Sequence, residues 1–321
     1  MALLLNEADV RGILTMPMAL DAVEEIFRRL ADARAMMHSR RRLSLPDKAY
    51  LHYMAGADVT GGYCGLKIYN SVRGALRFIV PLFRSATGKL VALLEADYLG
   101  QMRTGAASGV ATKYMARPES RAVGIIGTGL QARTQLEAVA AVRTIQTIRA
   151  FGRDPERRLK FSREMTERLG VRVEPVASAQ EAVRDADIVV TSTTSSQPVL
   201  EGGWIAQGAH INAIGANFPQ KRELDEDAVR RCGLIVVDSR EQSRSEAGDL
   251  IAVLGDDPAR WEAVRELSDI VAAHLAGRTH THQITLFKSN GVAVEDVAVA
   301  ARVFEYAEQH GIGQHVAFGE D

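Results

Sequence analysis

The order of apolar and polar positions changes character along the chain and divides it into two kinds of architecture. Near the start, Pro17 opens a segment in which Val23, Ile26, Phe27 and Leu30 recur at helical spacing. Glu24, Glu25, Arg28 and Arg29 fall on the opposite side, so the pattern predicts an amphipathic helix. After the basic run Arg40, Arg41, Arg42 come strand-like segments at 50–54, 64–69, 75–83 and 90–94. Gly61-Gly62, Gly74 and Thr87-Gly88 punctuate them as turns, which predicts a mostly antiparallel sheet. Residues 103–115 then read as a helix rich in small residues (Gly105, Ala106, Ala107, Ser108, Gly109, Ala111), expected to be buried between the two halves.

From Arg121 onward strands and helices alternate. Apolar runs at 122–126, 145–151, 171–176, 188–192, 210–214 and 234–238 are separated by helical patterns such as Leu136, Val139, Val142 and Phe161, Met165, Leu169. Such alternation predicts a parallel sheet with helices on both faces. A last helix, 292–309, returns to the first module. The fold class expected is α/β: a Rossmann-type doubly wound domain at 116–291 and an α+β domain at 1–115 completed by 292–321.

The first strand of the second module runs into Gly127-Thr128-Gly129-Leu130-Gln131-Ala132, and a helix follows. A buried strand that breaks at a glycine-rich turn and restarts as a helix places a dinucleotide pyrophosphate on the helix N-terminus. Gly127 permits the turn, Gly129 lets backbone amides approach the phosphates, and Ala132 keeps helix and strand close. Ser192 and Thr193, in the polar run that ends a later strand, are expected to touch the same cofactor. At the end of the second strand, where a carboxylate would bond the ribose of NAD, stand Gly152 and Arg153. Asp154 before Pro155 is explained as a helix N-cap, so Arg153 favours the 2′-phosphate of NADP(H), with NAD(H) as the alternative.

Composition narrows the class of protein. A net charge of −1 gives no support for nucleic-acid binding. Cys64 and Cys232 form no framework, no leader pattern opens the chain, and no apolar run spans a membrane, so a cytoplasmic protein without membrane partners is expected. His280 and His282 lack the companions that a metal site needs, and no metal is expected.

Candidate chemistry lies in the first module. Arg103 opens the predicted small-residue helix, where a cation is unfavourable unless an anion is bound, and Lys67 alternates with Leu66 and Ile68 on a strand. Each alone also reads as a solvated surface charge. His52 lies nearby in sequence as a second proton carrier or a packed ring, and Glu295 and Asp296 read as securing the last helix.

Several separated motifs give a more specific indication: Arg42-Leu43-Ser44-Leu45-Pro46, Gly65-Leu66-Lys67, Arg103-Thr104-Gly105-Ala106-Ala107, the glycine turn, Ile211-Asn212-Ala213-Ile214-Gly215-Ala216 and Thr285-Leu286-Phe287-Lys288-Ser289-Asn290-Gly291. In this order they resemble the ornithine cyclodeaminase/mu-crystallin family, which also contains archaeal-type alanine dehydrogenases and ketimine reductases. The resemblance implies a homodimer whose first module binds substrate and dimerises. It also implies that Arg42, Lys67 and Arg103 surround a substrate carboxylate, that Thr104 lies at the cofactor, and that Ser289, Asn290 and Gly291 approach the nicotinamide.

Lys67 beside two guanidinium groups is then expected to have a lowered pKa and to carry a proton. At Asn217 the chain departs from the family pattern, where cyclodeaminases place an aspartate that handles the amine proton. Asparagine cannot take that proton. The expected function is therefore reduction of the C=N bond of a small imino acid, or oxidation of the matching amino acid. Cyclodeamination with bound NAD and a mu-crystallin-like binding role are the alternatives.

Overall fold

A computed structural model of the protein describes residues 1–72 and 75–318. The turn expected at Gly74 lies outside the described residues. The chain separates into two compact units, one formed by Met1–Arg103 with Gly291–Asp321 and the other by Thr104–Asn290. The expectation placed the whole of 103–115 in the first module. The change-over instead falls inside the helix Asp97–Met115, at Arg103/Thr104.

The first unit is built on a seven-stranded sheet. Its order is Gln314–Val316, Ala2–Leu5, Leu90–Glu95, Ala75–Arg84, Tyr63–Val72, Ala49–Asp58, Ala35–Leu45. All neighbours are antiparallel except Ala2–Leu5 with Leu90–Glu95. The strand Ala35–Leu45 had no counterpart in the sequence pattern. A register shift between His38 and Arg41 breaks its alternation, and three consecutive arginines hide what remains.

The helix Met16–Ala31 starts where Thr15 accepts from the Met18 N–H, with Pro17 in the first turn, and it buries Val23, Ile26 and Phe27. The C-terminal helix Ala293–His310 packs on that helix and across Ala49–Asp58, Tyr63–Val72 and Ala75–Arg84. Gly56 leaves the room it needs: a Cβ there would stand 3.0 Å from the Val294 nitrogen, while one on its cross-strand partner Gly65 would meet the Pro81 carbonyl at 2.6 Å.

The second unit is an eight-stranded, wholly parallel sheet. Its order is Arg265–Glu266, Leu234–Val237, Thr285–Lys288, His210–Ala213, Ile188–Thr191, Ala122–Ile126, Thr147–Phe151, Val173–Pro175. Residues of one strand feed two cores. Val123 and Ile125 pack with Leu136, Val139, Phe161 and Met165, whereas Ile126 packs with Ala182, Val189 and Ile211. Helices therefore cover both faces, and the strand order reverses between Ala122–Ile126 and Ile188–Thr191, where open α/β sheets bind their ligands.

Three buried charges brace the carboxyl ends of these strands. Lys288 Nζ donates to the Ala216 carbonyl at 2.5 Å and lies 3.4 Å from Asp249 Oδ2. Glu223 accepts from the Thr193 and Gly215 N–H groups at 2.6 and 2.7 Å and from Thr191 Oγ1 at 3.0 Å.

The close approach of the C-terminal helix gives a direct test. Gly56→Val would force side-chain atoms into the Ala293–Val294 backbone, an overpacking expected to cost about 1–3 kcal/mol. Denaturant unfolding should show the lowered midpoint; an unchanged midpoint would mean that the helix does not depend on this gap.

Candidate active site

On the inner face of the first unit's sheet, four charged side chains meet in the interior. Lys67, on Tyr63–Val72, is 3% exposed, and Arg103 is 6% exposed. Glu295 and Asp296, in the first turn of Ala293–His310, are fully buried. Lys67 Nζ donates to Asp296 Oδ1 at 2.8 Å, and Arg103 Nε donates to the same oxygen at 3.1 Å. Arg103 Nη1 donates to Glu295 Oε2 at 2.6 Å. Each ion would be prohibitively costly to bury alone, but together the two cations and two carboxylates compensate one another.

This arrangement corrects two sequence expectations. Arg103 does not open its helix, because Asp97–Met115 begins six residues earlier; carboxylates answer its charge, and the argument from the helix dipole does not apply. Glu295 and Asp296 do more than secure a helix end. The signal that could have revealed them was available: their helix is apolar on nearly every side, and carboxylates in such a helix must find buried cations.

Lys67 lies against the backbone of the long helix at Gly100, where a Cβ would come 2.9 Å from its Nζ. Phe78 presents its ring 5.2 Å from Nζ. Burial, followed by the nearby Arg103, pushes the ammonium down to about 8, while Asp296 pulls in the other direction.

Arg42 pairs across the strands with His52, which stacks on Tyr69 at 4.2 Å with the rings 2° from parallel. Burial, then Arg42 and Arg40, lowers the His52 pKa to about 4, so the ring is neutral at neutral pH. Its Nδ1 is buried without a hydrogen-bond partner. Arg40, which the sequence reading passed over as part of a basic run, donates from Nη2 to the Gly291 carbonyl at 3.1 Å. Gly291 has φ +76°, and a side chain there would collide with the Arg103 guanidinium.

The remaining expected positions lie in the second unit. Gly127 has φ +117°, its N–H donates to the Phe151 carbonyl at 2.8 Å, and a Cβ would collide with the Ser192 carbonyl. Only glycine fits there. Gly129 is the N-cap of Leu130–Val142 and supplies no side-chain cap; the space where its Cβ would stand is open. Leu130 is 63% exposed, Gln131 is half-buried and Ala132 is fully buried.

An uncapped helix start beside open space at a strand-order reversal fits a dinucleotide pyrophosphate. Thr128 sits against Gly152, where a Cβ would come 2.5 Å from Thr128 Oγ1. Arg153 is exposed, and Asp154 Oδ1 accepts from the Glu156 and Arg157 N–H groups as the helix cap.

Thr104 receives a hydrogen bond on its carbonyl from Gln135 Nε2 at 3.1 Å. Ser192 is buried, and Thr193 is tied through its N–H to Glu223. Asp238 Oδ2 holds both Ser289 Oγ and the Asn290 N–H, at 3.0 and 2.7 Å. Asn217 is half-buried in the loop that follows His210–Ala213. Lys67, Arg103 and Gly291 are thus gathered in one unit with Arg40, while the glycine turn and Asn217 belong to the other. Among the described residues, no group of three or more His, Cys, Asp or Glu is placed to hold a metal ion, and no helix is long and apolar enough to cross a membrane.

Comparison with known proteins agrees with this architecture. The family profile "Ornithine cyclodeaminase/mu-crystallin family" matches residues 2–311. The chain is 39% identical over 241 residues to a Delta(1)-pyrroline-2-carboxylate reductase of Bacillus cereus, covering 75% of this chain and 74% of the relative. It is 35% identical to an alanine dehydrogenase of Archaeoglobus fulgidus, covering 98% of both. Among solved structures, the Thermococcus litoralis Delta(1)-pyrroline-2-carboxylate reductase in complex with NADH and L-proline superposes with a TM-score of 0.93 at 37% identity, covering 98% of this chain and 100% of that one. The chain belongs to the ornithine cyclodeaminase/mu-crystallin family.

Proposed function

We propose that the protein is a nicotinamide-dinucleotide-dependent oxidoreductase that reduces the C=N bond of a small imino acid, or oxidises the matching amino acid. The observation that carries this reading is the buried ammonium of Lys67, which shares Asp296 Oδ1 with Arg103 and whose pKa is lowered to about 8. Arg42 and Arg103 fix the substrate carboxylate, and Lys67 gives its proton to the imine nitrogen. A bound nicotinamide supplies the hydride that the imine carbon receives. Asn217 offers hydrogen bonds but no proton acceptor, which suits reduction of a preformed imine better than cyclodeamination.

The glycine turn holds the pyrophosphate with residues 127–132, assisted by Thr104, Ser192 and Thr193, and residues 289–291 approach the nicotinamide. We infer that NADP(H) is preferred and NAD(H) is the alternative, because Asp154 is occupied as a helix cap and Arg153 is left at the strand end. The relative from Thermococcus litoralis was solved with NADH, which supports a nicotinamide dinucleotide and speaks for the NAD(H) alternative. The first unit serves substrate binding and dimerisation, the second binds the cofactor, and the protein works in the cytoplasm. Met36, Leu43, Tyr53 and Ile79, exposed on the sheet face opposite Lys67, support a homodimer.

Incubation with Δ1-pyrroline-2-carboxylate or Δ1-piperideine-2-carboxylate should consume NADPH stoichiometrically. Ammonia release from ornithine without net NADPH change would contradict the reading. Reduction needs protonated Lys67, so its rate should be level below pH 8 and fall as pH rises through about 8. Lys67→Met should lose about 10²–10⁴-fold in kcat/KM, and a variant that keeps both rate and pH profile would remove Lys67 from the mechanism. Arg153→Ala should weaken NADPH about tenfold or more while sparing NADH, because a charge-assisted phosphate contact is lost. Equal effects on the two cofactors, measured by fluorescence titration, would overturn the preference.

A further inference from the structure

The C-terminal helix bears on proton transfer as well as on packing. Adjacent residues of a helix point about 100° apart, and here Glu295 and Asp296 reach different partners. Glu295 engages Arg103 through Nη1. Asp296 uses a single oxygen, Oδ1, for both Lys67 and Arg103, while its Oδ2 is buried without a hydrogen-bond partner. A carboxylate needed only to neutralise Arg103 would not have to reach Lys67, which comes from a strand 229 residues away in sequence.

We propose that Asp296 is the positioning residue of the proton-transfer step: it fixes Lys67 Nζ beside the Arg103 guanidinium and keeps the proton on it until substrate takes it. This rests on Lys67 being the proton carrier. Among the described residues, Asp296 is the carboxylate that hydrogen-bonds Nζ. Arg103 from the long helix and Arg40 from Ala35–Leu45 both oppose the ammonium. The strand Ala49–Asp58 contributes His52, which is neutral above about pH 4, and Met54 opposite Lys67, while Ala75–Arg84 contributes the Phe78 ring, whose face attracts a cation weakly. Among the described residues, Asp296 is the charged group that favours the protonated form of Lys67, with the Phe78 ring face adding a weaker attraction. In each turnover the proton leaves Nζ for the substrate nitrogen, the neutral amine stays hydrogen-bonded to Asp296, and water restores the proton.

The test compares pH profiles of kcat/KM for imine reduction in Asp296→Asn, Asp296→Glu and Glu295→Gln, with Lys67→Met as the reference for the underlying reading. Asp296→Asn should move the alkaline limb down by a pH unit or more and lower kcat/KM at least tenfold at pH 7.5. Asp296→Glu, which retains the charge but displaces the oxygen, should lower kcat while holding the limb within half a unit of wild type. Glu295→Gln, which removes the carboxylate on Arg103 Nη1 without touching the Lys67–Asp296 hydrogen bond, should raise KM and leave the limb in place.

An unmoved limb in Asp296→Asn, or a shift as large in Glu295→Gln, would overturn the proposal. Should Asp296→Asn fail to fold, as judged by circular dichroism, Asp296→Glu decides: a retained limb supports positioning by charge, and a lost limb refutes it. If Lys67→Met keeps the wild-type profile, the proton-carrier reading itself fails. That outcome is distinct from an inactive Lys67→Met beside an unaltered Asp296→Asn.

Discussion

A lysine and an arginine cannot be buried side by side unless carboxylates are buried with them, and this requirement organises the first unit. Removing an ion from water costs several kcal/mol even after relaxation, so two adjacent cations are tolerated only with well-placed counter-ions. Glu295 and Asp296 supply those counter-ions from the far end of the chain. Their helix must therefore lie close on the sheet, which Gly56 allows, and Lys67 must lie close on the long helix, which Gly100 allows. Packing, charge and chemistry here make the same demand on the backbone.

The second unit meets a comparable demand differently. Its proposed cofactor site consists largely of backbone: a turn that only glycine can make at Gly127, and a helix start left without a side-chain cap at Gly129. The loops that follow the strands are held by buried carboxylates, with Glu223 under Thr193 and Gly215 and Asp238 under Ser289 and Asn290. Residues expected to touch the cofactor are thus tied down by groups that do not touch it, an arrangement that limits reorganisation when a ligand binds.

Much of this was legible in the sequence because local patterns carry it. Alternation along 64–69 and 75–83 and the strand-to-helix turn at Gly127 depend only on neighbouring residues, and they correspond to Tyr63–Val72, Ala75–Arg84 and Ala122–Ile126. Other features were hidden for identifiable reasons. A bulge erased the alternation of Ala35–Leu45, so Arg40 was passed over within a basic run, and the pattern gave no sign that Arg40 meets Gly291 or that Arg42 pairs with His52. The long helix begins at Asp97, and reading its start at Arg103 gave that residue a mistaken electrostatic reason. The pairing of Lys67 with Asp296 spans most of the chain, and no local pattern encodes a contact of that range.

Lys67 is a buried amine whose pKa is lowered to about 8, and its proposed role depends on exchanging its proton in that range. Nuclear magnetic resonance of the full-length protein labelled with 15N-lysine addresses it without reliance on turnover, the Lys67 Nζ signal being identified by its loss in Lys67→Arg. Burial beside Arg103, opposed by Asp296, requires that signal to titrate with a midpoint near 8. A midpoint at the ordinary lysine value of 10.5 would contradict it.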